Sequence, residues 1–311
     1  MCISILSTAH PRYPFILLSN RDEFLHRSTL AADWWEAPHN NVLGGRDQQR
    51  QEQGTWLGVT RQGRIAILTN FREEGADQIA RDKSRGGITR SYLTQSPFGE
   101  ESAEEFAKSL IEGMGISDVG GFTLLFGRLR AAAKTQSTSS RDDAGPEGVF
   151  PGLAVISNRT ASSKELTRIA TRSGETLGLS NSHYGDATWP KVVQGEQLLQ
   201  EAINLHVSSN GNEEDLIQAG LGILSRNNLP PKREDEDAKT YVRQFRNSIL
   251  IPPVQGTEGL YGTQKQTIIL VSDSGKMTFV ERTLFDEDAK PVVAIDSRDK
   301  RFAFDIEGWR S

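Results

Sequence analysis

The chain has 311 residues, a formal net charge of −5 and a single cysteine, Cys2. One cysteine forms no internal disulfide and no cysteine-rich zinc site, which excludes a disulfide-stapled secreted scaffold. The acidic balance argues against a protein built to hold nucleic acid or an anionic membrane surface. No apolar run approaches the ~20 residues of a membrane span, and the interrupted N-terminal segment lacks the features of a signal peptide. We therefore expect a cytoplasmic protein.

Strands are predicted along most of the chain, because short apolar runs of high β-propensity are bounded by turn residues. These runs lie at 2–9, 15–20, 55–59, 65–71, 122–129, 152–158 and 175–181. Residues 27–44 are expected to be irregular, GGRD at 44–47 to be a turn, and QQRQEQ at 48–53 to be a solvated loop.

Three helices are predicted from capping signals and helical periodicity. They begin at Ser102, at Trp189-Pro190 and after the loop 210–215, and they end at Gly113 or Gly115, near His206 and at Leu224.

Most predicted strands are joined as hairpins, including 266–284 near the C-terminus, which favours an α+β fold with largely antiparallel sheets. The low-complexity stretch 132–148 is predicted to be a mobile insertion. No internal repeat or domain boundary is visible, so we expect a single domain over 1–311.

Cys2 has two interpretations. The first is a small residue buried in the first strand, since free cysteine is among the most buried residue types. The second follows from removal of Met1, which would place a thiol and a free α-amine on the same residue. An α-amine with a reference pKa near 8 is partly neutral at pH 7 and can take the thiol proton. Cys2 would then be an N-terminal nucleophile.

The polar partners that such a nucleophile needs lie at the ends of three predicted strands. They are Asn20, Arg21, Asp22 and Glu23 at the end of the second strand, Asn70 near the end of 65–71, and Asn181 at the end of 175–181. Antiparallel pairing of the first two strands would bring the first group near Cys2. The alternative is that these are ordinary polar strand ends and turn formers.

Other chemistry has little support in the sequence. No phosphate-binding glycine loop follows a strand, and the five histidines show no metal-ligand spacing, so neither a nucleotide site nor a metal site is expected. Four tryptophans either line an apolar pocket or pack in the core. They are Trp34, Trp35, Trp56 and Trp189.

Nine motifs, in order along the chain, resemble the NRDE family. They are MCISILS, SNRDEF, GGRD, GTWLGV, GRIAILTNFRE, SRGGI, LSNS, TWPKV and YGTQKQTIILV. The family is in turn similar to the cysteine N-terminal nucleophile hydrolases, which include penicillin V acylase and bile salt hydrolase. The resemblance implies an αββα sandwich, in which two mainly antiparallel sheets are packed together with helices outside.

The resemblance also implies roles for individual residues. Cys2 is the nucleophile, Arg21 and Asp22 orient and tune it, and Asn70 and Asn181 hold the oxyanion and the α-amine. The candidates assigned to binding are Asn20, Glu23, Trp56 and Trp189.

The sequence departs from the acylases at two points. Their Arg and Asp are three residues apart, whereas Arg21 and Asp22 are adjacent. Since a strand alternates its faces, either Asn20 with Asp22 or Arg21 with Glu23 faces Cys2. The family's late arginine is also missing: Gln264 or Lys265 replaces it, or it is absent.

Two functions are consistent with these observations. The first is a hydrolase that acts on the amide or thioester bond of a small acyl substrate and requires no cofactor. The second is a protein without turnover that binds or traffics haem or an acyl-lipid. The resemblance further implies a role in the secretory pathway or in lipid homeostasis, and an association with the Golgi or mitochondria.

Overall fold

The structure, a computed structural model, describes residues 1–71, 84–99, 101–116, 119–131, 133–134, 148–256 and 258–310. Its strands are numbered in chain order. They are β1 (Ile3–Ser7), β2 (Phe15–Phe24), β3 (Thr29–Trp34), β4 (Val42–Asp47), β5 (Leu57–Thr60), β6 (Arg64–Asn70), β7 (Phe122–Arg128), β8 (Ala133–Lys134), β9 (Gly148–Val149), β10 (Leu153–Ser157), β11 (Thr167–Ile169), β12 (Thr176–Leu179), β13 (Val254–Gly256), β14 (Gly259–Val271), β15 (Lys276–Thr283) and β16 (Asp299–Asp305).

The described residues form six α-helices, of which the second, third and fourth in chain order are the three that the sequence predicts. They are α1 (Arg85–Leu93), α2 (Ala103–Lys108), α3 (Pro190–Ser208), α4 (Glu213–Leu224), α5 (Ala238–Gln244) and α6 (Ile295–Arg298). Ser102 and Glu105 form a reciprocal capping box at the start of α2. A π-helical turn, Ser109–Met114, continues α2 and ends at Gly115, whose positive φ of 60° suits glycine.

Within the described residues fourteen of the strands form two seven-stranded sheets, and β8 and β9 form a separate two-stranded sheet. The first has the order β12-β1-β2-β14-β15-β16, with β13 beside the start of β14, and the second has the order β11-β10-β7-β6-β5-β4-β3. The pairings within both sheets are antiparallel. The hairpin arrangement expected from the sequence is thus confirmed.

Three apolar clusters define four layers. One lies between the two sheets and includes Leu17 and Ile67. A second packs α1 and α2 on the second sheet, and a third packs α3 and α4 on the first, where Ile5 contacts the helix layer. The order of layers is therefore helix, sheet, sheet, helix, which confirms the predicted αββα sandwich.

Two strands lie where the sequence predicts irregular chain and a turn. The predictions for 27–44 and for GGRD were wrong, because β3 and β4 occupy these segments. The glycines serve close packing rather than turning: a Cβ on Gly44 would lie 2.7 Å from the Leu57 carbonyl oxygen, and one on Gly45 would lie 2.7 Å from the Trp56 ring. The exposed tract 48–53 follows β4, as expected.

Part of the predicted organisation falls on residues that the structure does not describe. The last two residues of GRIAILTNFRE, 72–73, and most of the predicted insertion 132–148 lie outside the described residues. At the two ends of that insertion, β8 pairs with β9.

One bulge and one ion pair shape the sheet that carries β2. The register between β2 and β14 shifts between Thr263 and Lys265, so Gln264 is an extra residue on β14. Lys265 Nζ lies 3.3 Å from Glu281 Oε1, and both side chains are buried. The same carboxylate oxygen accepts the backbone N–H of Ala32 in the opposite sheet at 2.7 Å. This contact links the two sheets.

Candidate functional site

The N-terminal residues lie at one end of the sandwich, where strands of both sheets end. Cys2 directly precedes β1, and its carbonyl oxygen accepts the hydroxyl of Ser180 at 2.7 Å. Its Sγ lies 3.4 Å from the backbone nitrogen of Asp22 and 3.7 Å from the Asp22 carbonyl oxygen. The second strand therefore returns to Cys2, as the antiparallel pairing requires.

The α-amine of Met1 is held by an acidic and a phenolic group. It lies 3.1 Å from Asp22 Oδ2 and donates a hydrogen bond to the Tyr261 hydroxyl. The other carboxylate oxygen of Asp22 accepts the Thr263 hydroxyl at 2.7 Å, and the Tyr261 hydroxyl donates to the Asp22 carbonyl oxygen at 3.1 Å. The carboxylate is thus fixed by neighbours on β14.

The carbonyl oxygen of Met1 is held by a buried lysine. Lys191, in the first turn of α3, has no exposed surface, and its Nζ donates to this oxygen at 2.5 Å. Trp189 precedes the helix, and its ring centroid lies 5.8 Å from the same Nζ. Burial lowers the pKa of Lys191, while the charge of Asp22 opposes that shift.

The Met1 side chain enters an apolar pocket, which we call the Met1 pocket. Its buried residues are Tyr241, Phe245 and Ile251, with Leu229, Val254 and Tyr261 partly buried around them. The first residue of the chain is therefore held at its amine, its carbonyl and its side chain.

The two candidate asparagines meet across the gap between the sheets. The Asn181 side-chain amide donates to the Asn70 carbonyl oxygen. Among the described residues, neither side-chain oxygen of the pair has a hydrogen-bond partner, although both are buried. Because Asn181 follows Ser180, this pair lies one residue from the group that binds the Cys2 carbonyl. Unsatisfied buried acceptors of this kind are uncommon, which marks this pair as a candidate for binding a donor.

The alternation of β2 separates the four polar residues at its end. Asn20 donates its amide to the carbonyl oxygens of Leu224 and Ile249 on the helix side of the sheet. Asp22 lies on that same side with the Met1 amine. Glu23 accepts the N–H of the next residue, Phe24, and its negative charge opposes the burial that lowers the pKa of Arg21.

Arg21 points between the sheets. Its guanidinium carbon lies 4.4 Å from the Trp56 ring centroid, and its Nη1 donates to the Gln264 side-chain oxygen. Gln264 therefore contacts Arg21, whereas Lys265 pairs with Glu281. The positive charge of Arg21 lowers the pKa of the Cys2 thiol, although burial has a larger effect and raises it.

The electrostatics of the site differ between the thiol and the amine. Burial raises the pKa of Cys2, so the thiol stays protonated at neutral pH. Burial lowers the pKa of the Met1 amine, which favours its neutral form, while the charge of Asp22 opposes this shift. An amine in this environment is a proton acceptor beside a thiol that needs one.

Four residues of the site were not nominated from the sequence: Ser180, Lys191, Tyr261 and Thr263. Each lies within a motif that carried the family resemblance, LSNS, TWPKV or YGTQK. The family motifs therefore contained these residues. A lysine after a proline and a tyrosine in a strand do not indicate a functional role by themselves, because that role depends on what the fold places next to them. Ser180 also lines a surface cavity with Trp189 and Glu196.

The αββα layers, with a cysteine beside the N-terminal amine at a strand end, have the architecture of the N-terminal nucleophile hydrolases. The family model described as Transport and Golgi organisation 2 matches residues 1–286. The chain belongs to this family, which confirms the NRDE resemblance.

Two relatives show how far the similarity extends. The Transport and Golgi organization protein 2 homolog of Bos taurus is 30% identical over 284 residues, covering 89% of this chain and 88% of its own. An uncharacterised protein of Saccharomyces cerevisiae is 28% identical over 331 residues, covering 98% of this chain and 100% of its own.

Two solved structures are distantly similar. The Caenorhabditis elegans ortholog of N-acylethanolamine-hydrolyzing acid amidase has a TM-score of 0.42 at 12% identity, covering 86% of this chain and 92% of its own. A mutant conjugated bile acid hydrolase of Clostridium perfringens has a TM-score of 0.40 at 9% identity, covering 100% and 98%. Separately, none of the helices in the described ranges is both long and apolar enough to cross a bilayer.

Proposed function

We propose that the chain, once Met1 is removed, is an N-terminal cysteine hydrolase that cleaves the amide or thioester bond of a small acyl substrate. The observation that carries the proposal is the position of the N-terminal amine. It lies between Asp22 and Tyr261, next to a thiol that contacts the Asp22 backbone. After processing, one residue, Cys2, would carry both the nucleophile and the base.

The α-amine of Cys2 would act as the base. While Met1 is attached, the Cys2 nitrogen is an amide and cannot accept a proton, and burial keeps the thiol protonated. After processing, Asp22 and Tyr261, which hold the Met1 amine, would orient the new amine. The burial that lowers the pKa of the Met1 amine would act on its successor in the same direction.

Asn70 and Asn181 would serve the amine and the oxyanion. Each has a buried side-chain oxygen with no partner in the described part of the chain, and the α-amine of Cys2 is a donor that such an oxygen can accept. Their amide nitrogens are donors for the negative charge on a tetrahedral intermediate. Removal of one such donor typically costs about 10²–10³ in kcat.

The reaction has two balanced steps. The Cys2 thiol gives its proton to the α-amine, and Sγ forms a bond to the acyl carbon while the bond from that carbon to the leaving nitrogen or sulfur breaks. The leaving group takes the proton and departs as an amine or a thiol. Water then attacks the thioester, releases the carboxylic acid and restores the Cys2 thiol.

The test compares the processed protein with Cys2→Ala and Cys2→Ser on panels of acyl amides and acyl thioesters. Intact mass first establishes that Met1 is absent. We expect turnover in the wild type, a covalent acyl adduct on Cys2 by mass, and loss of at least ~10³-fold of turnover in Cys2→Ala.

Two outcomes contradict the proposal: retention of Met1 on the mature protein, and equal turnover in wild type and both variants. In the second case, the carrier function predicted from the sequence becomes the one to test. Titration with haemin would then compare the Soret band of wild type with that of Cys2→Ala.

A further inference from the structure

Met1 is held in the way that an enzyme holds an acyl group. Its carbonyl oxygen accepts a hydrogen bond from a buried ammonium, Lys191. Its chain lies in the Met1 pocket, against Tyr241, Phe245 and Ile251. The bond from its carbonyl carbon leads directly to Cys2. The groups that bind Met1 therefore surround a carbonyl next to the nucleophilic residue.

Lys191 is difficult to explain as a purely structural residue. It is fully buried, and among the described residues no carboxylate lies within 4.0 Å of its Nζ. A buried cation without an adjacent anion costs several kcal/mol. Such a cation lowers a reaction barrier where negative charge develops on an oxygen in front of it. The Met1 carbonyl oxygen occupies that position.

We propose that the Met1 pocket is the acyl subsite of the hydrolase and that Lys191 is the donor to the acyl carbonyl oxygen. The inference rests on the proposed function, because it names the acyl group that the same site would take. Removal of Met1 would free both the pocket and the Lys191 ammonium for substrate.

The size of Met1 defines the expected acyl group. From its carbonyl carbon to the end of its side chain, methionine is an unbranched chain of about six atoms, which a hexanoyl group matches. The pocket walls are apolar, so the chain should be uncharged. Asp22, which lies beside the Met1 amine, would repel an acyl group with a carboxylate next to its carbonyl. The expected substrate is a neutral, unbranched acyl amide or thioester of about hexanoyl length.

The test measures kcat/KM of the processed protein on aminocoumarin amides of acetic, hexanoic and decanoic acid. We expect hexanoyl to exceed acetyl by more than ~10-fold, since each methylene buried in a pocket contributes. Phe245→Leu enlarges the pocket and should shift the preference toward decanoyl. Lys191→Met should lower kcat by about 100- to 1,000-fold at an unchanged chain-length preference. The exposed Lys164→Met is the matched control and should behave as wild type.

A second measurement does not depend on turnover. Processed Cys2→Ala is titrated with hexanamide and with acetamide, and the shift in its thermal unfolding midpoint is recorded. We expect hexanamide alone to raise the midpoint, and Phe245→Leu in the same background to reduce that rise.

The two measurements separate this inference from the function it rests on. If the wild type cleaves all three amides equally and Phe245→Leu and Lys191→Met do not change this, the subsite is overturned while the hydrolase stands. If hexanamide binds in a Phe245-dependent manner but neither the acyl amides nor the acyl thioesters of the first test are cleaved, the pocket stands and the hydrolase falls. If neither binding nor chain-length preference is seen, the subsite is overturned.

Discussion

Acid should destabilise this protein through a buried histidine pair. His10 Nε2 lies 3.0 Å from His206 Nδ1, and both rings are buried. His10 Nδ1 accepts the backbone N–H groups of Arg12 and Tyr13, at 3.0 and 3.1 Å. His206 Nε2 lies 2.8 Å from the carbonyl oxygen of Asn212. Since Nδ1 of the neutral His10 ring is an acceptor, its proton is on Nε2, which donates to His206 Nδ1.

A second proton on His10 would have to bind at Nδ1, which already accepts the backbone N–H groups of Arg12 and Tyr13. Burial, with smaller contributions from His206 and Arg12, lowers the pKa of His10 from 6.5 to about 4. In the unfolded chain His10 therefore binds a proton near pH 6.5, whereas in the folded chain it binds that proton only near pH 4. The contribution of the neutral His10 to the free energy of unfolding is fully present above pH 6.5 and is lost as the pH decreases from 6.5 to about 4.

The magnitude follows from the two pKa values. At pH 5 the unfolded histidine is almost fully protonated and the folded one is about one-tenth protonated. The resulting loss in the free energy of unfolding, relative to pH 7.5, is about 2 kcal/mol, and its limit below pH 4 is about 3 kcal/mol. Losses from carboxylates and other groups add to this value.

Equilibrium urea unfolding, followed by tryptophan fluorescence at pH 7.5 and pH 5.0, measures the loss. The matched variant is His10→Asn, whose side-chain oxygen can still accept the N–H groups of Arg12 and Tyr13 but does not titrate. Its loss between the two pH values should be smaller than that of the wild type by about 2 kcal/mol. Equal losses in the two proteins would refute the assignment of this proton to His10.

Two further predictions concern a buried ion pair and two glycines in helices. Lys265→Met should lower the free energy of unfolding by about 3–5 kcal/mol, because the Glu281 carboxylate is left buried without its ion-pair partner. The double variant Lys265→Met/Glu281→Gln keeps an acceptor for the Ala32 N–H and should recover part of this loss, as measured by urea unfolding. No recovery in the double variant would count against a charge effect. Gly195→Ala should destabilise by about 1–3 kcal/mol, because its Cβ would lie 2.4 Å from a β1 side chain, whereas Gly222→Ala, with nothing within 4 Å, should stabilise by about 0.5–1 kcal/mol. Thermal unfolding of the two glycine variants gives the comparison, and shifts of the same sign would contradict it.

The sequence was most informative where local signals agree with long-range packing. The strand predictions around β1, β2 and β6 and the helix after Trp189-Pro190 needed only periodicity, capping and turn residues. The prediction of a turn at Gly44 and Gly45 was wrong for an identifiable reason. A glycine pair is a turn signal locally, but here it admits a neighbouring strand and an indole ring, which no window of sequence reveals.

The sequence predicted which strand ends contribute to the site, but it did not predict how their side chains are arranged. The alternation rule left two pairings open for the residues after β2, and the fold divides them between two sides of the sheet, with Asn20 toward the helices and Arg21 toward Trp56. The contacts of Lys191 with Met1 join residues 190 positions apart. Contacts of that separation depend on the whole topology.

The bulge at Gln264 bears on how lengths vary between related chains. Thr263 pairs with Asp22 and Lys265 with Arg21, so the residues on either side of Gln264 already have consecutive partners on β2. Deleting Gln264 would leave an ordinary ladder between β2 and β14. It would also remove the acceptor that Arg21 uses, the donor to the Leu25 carbonyl oxygen and the carbonyl oxygen that accepts the Leu284 N–H. A deletion at this position therefore keeps the register of β2 and β14. Sequence alignments across it should be anchored on strand partners, because matching the letters after YGT equates residues that have different neighbours.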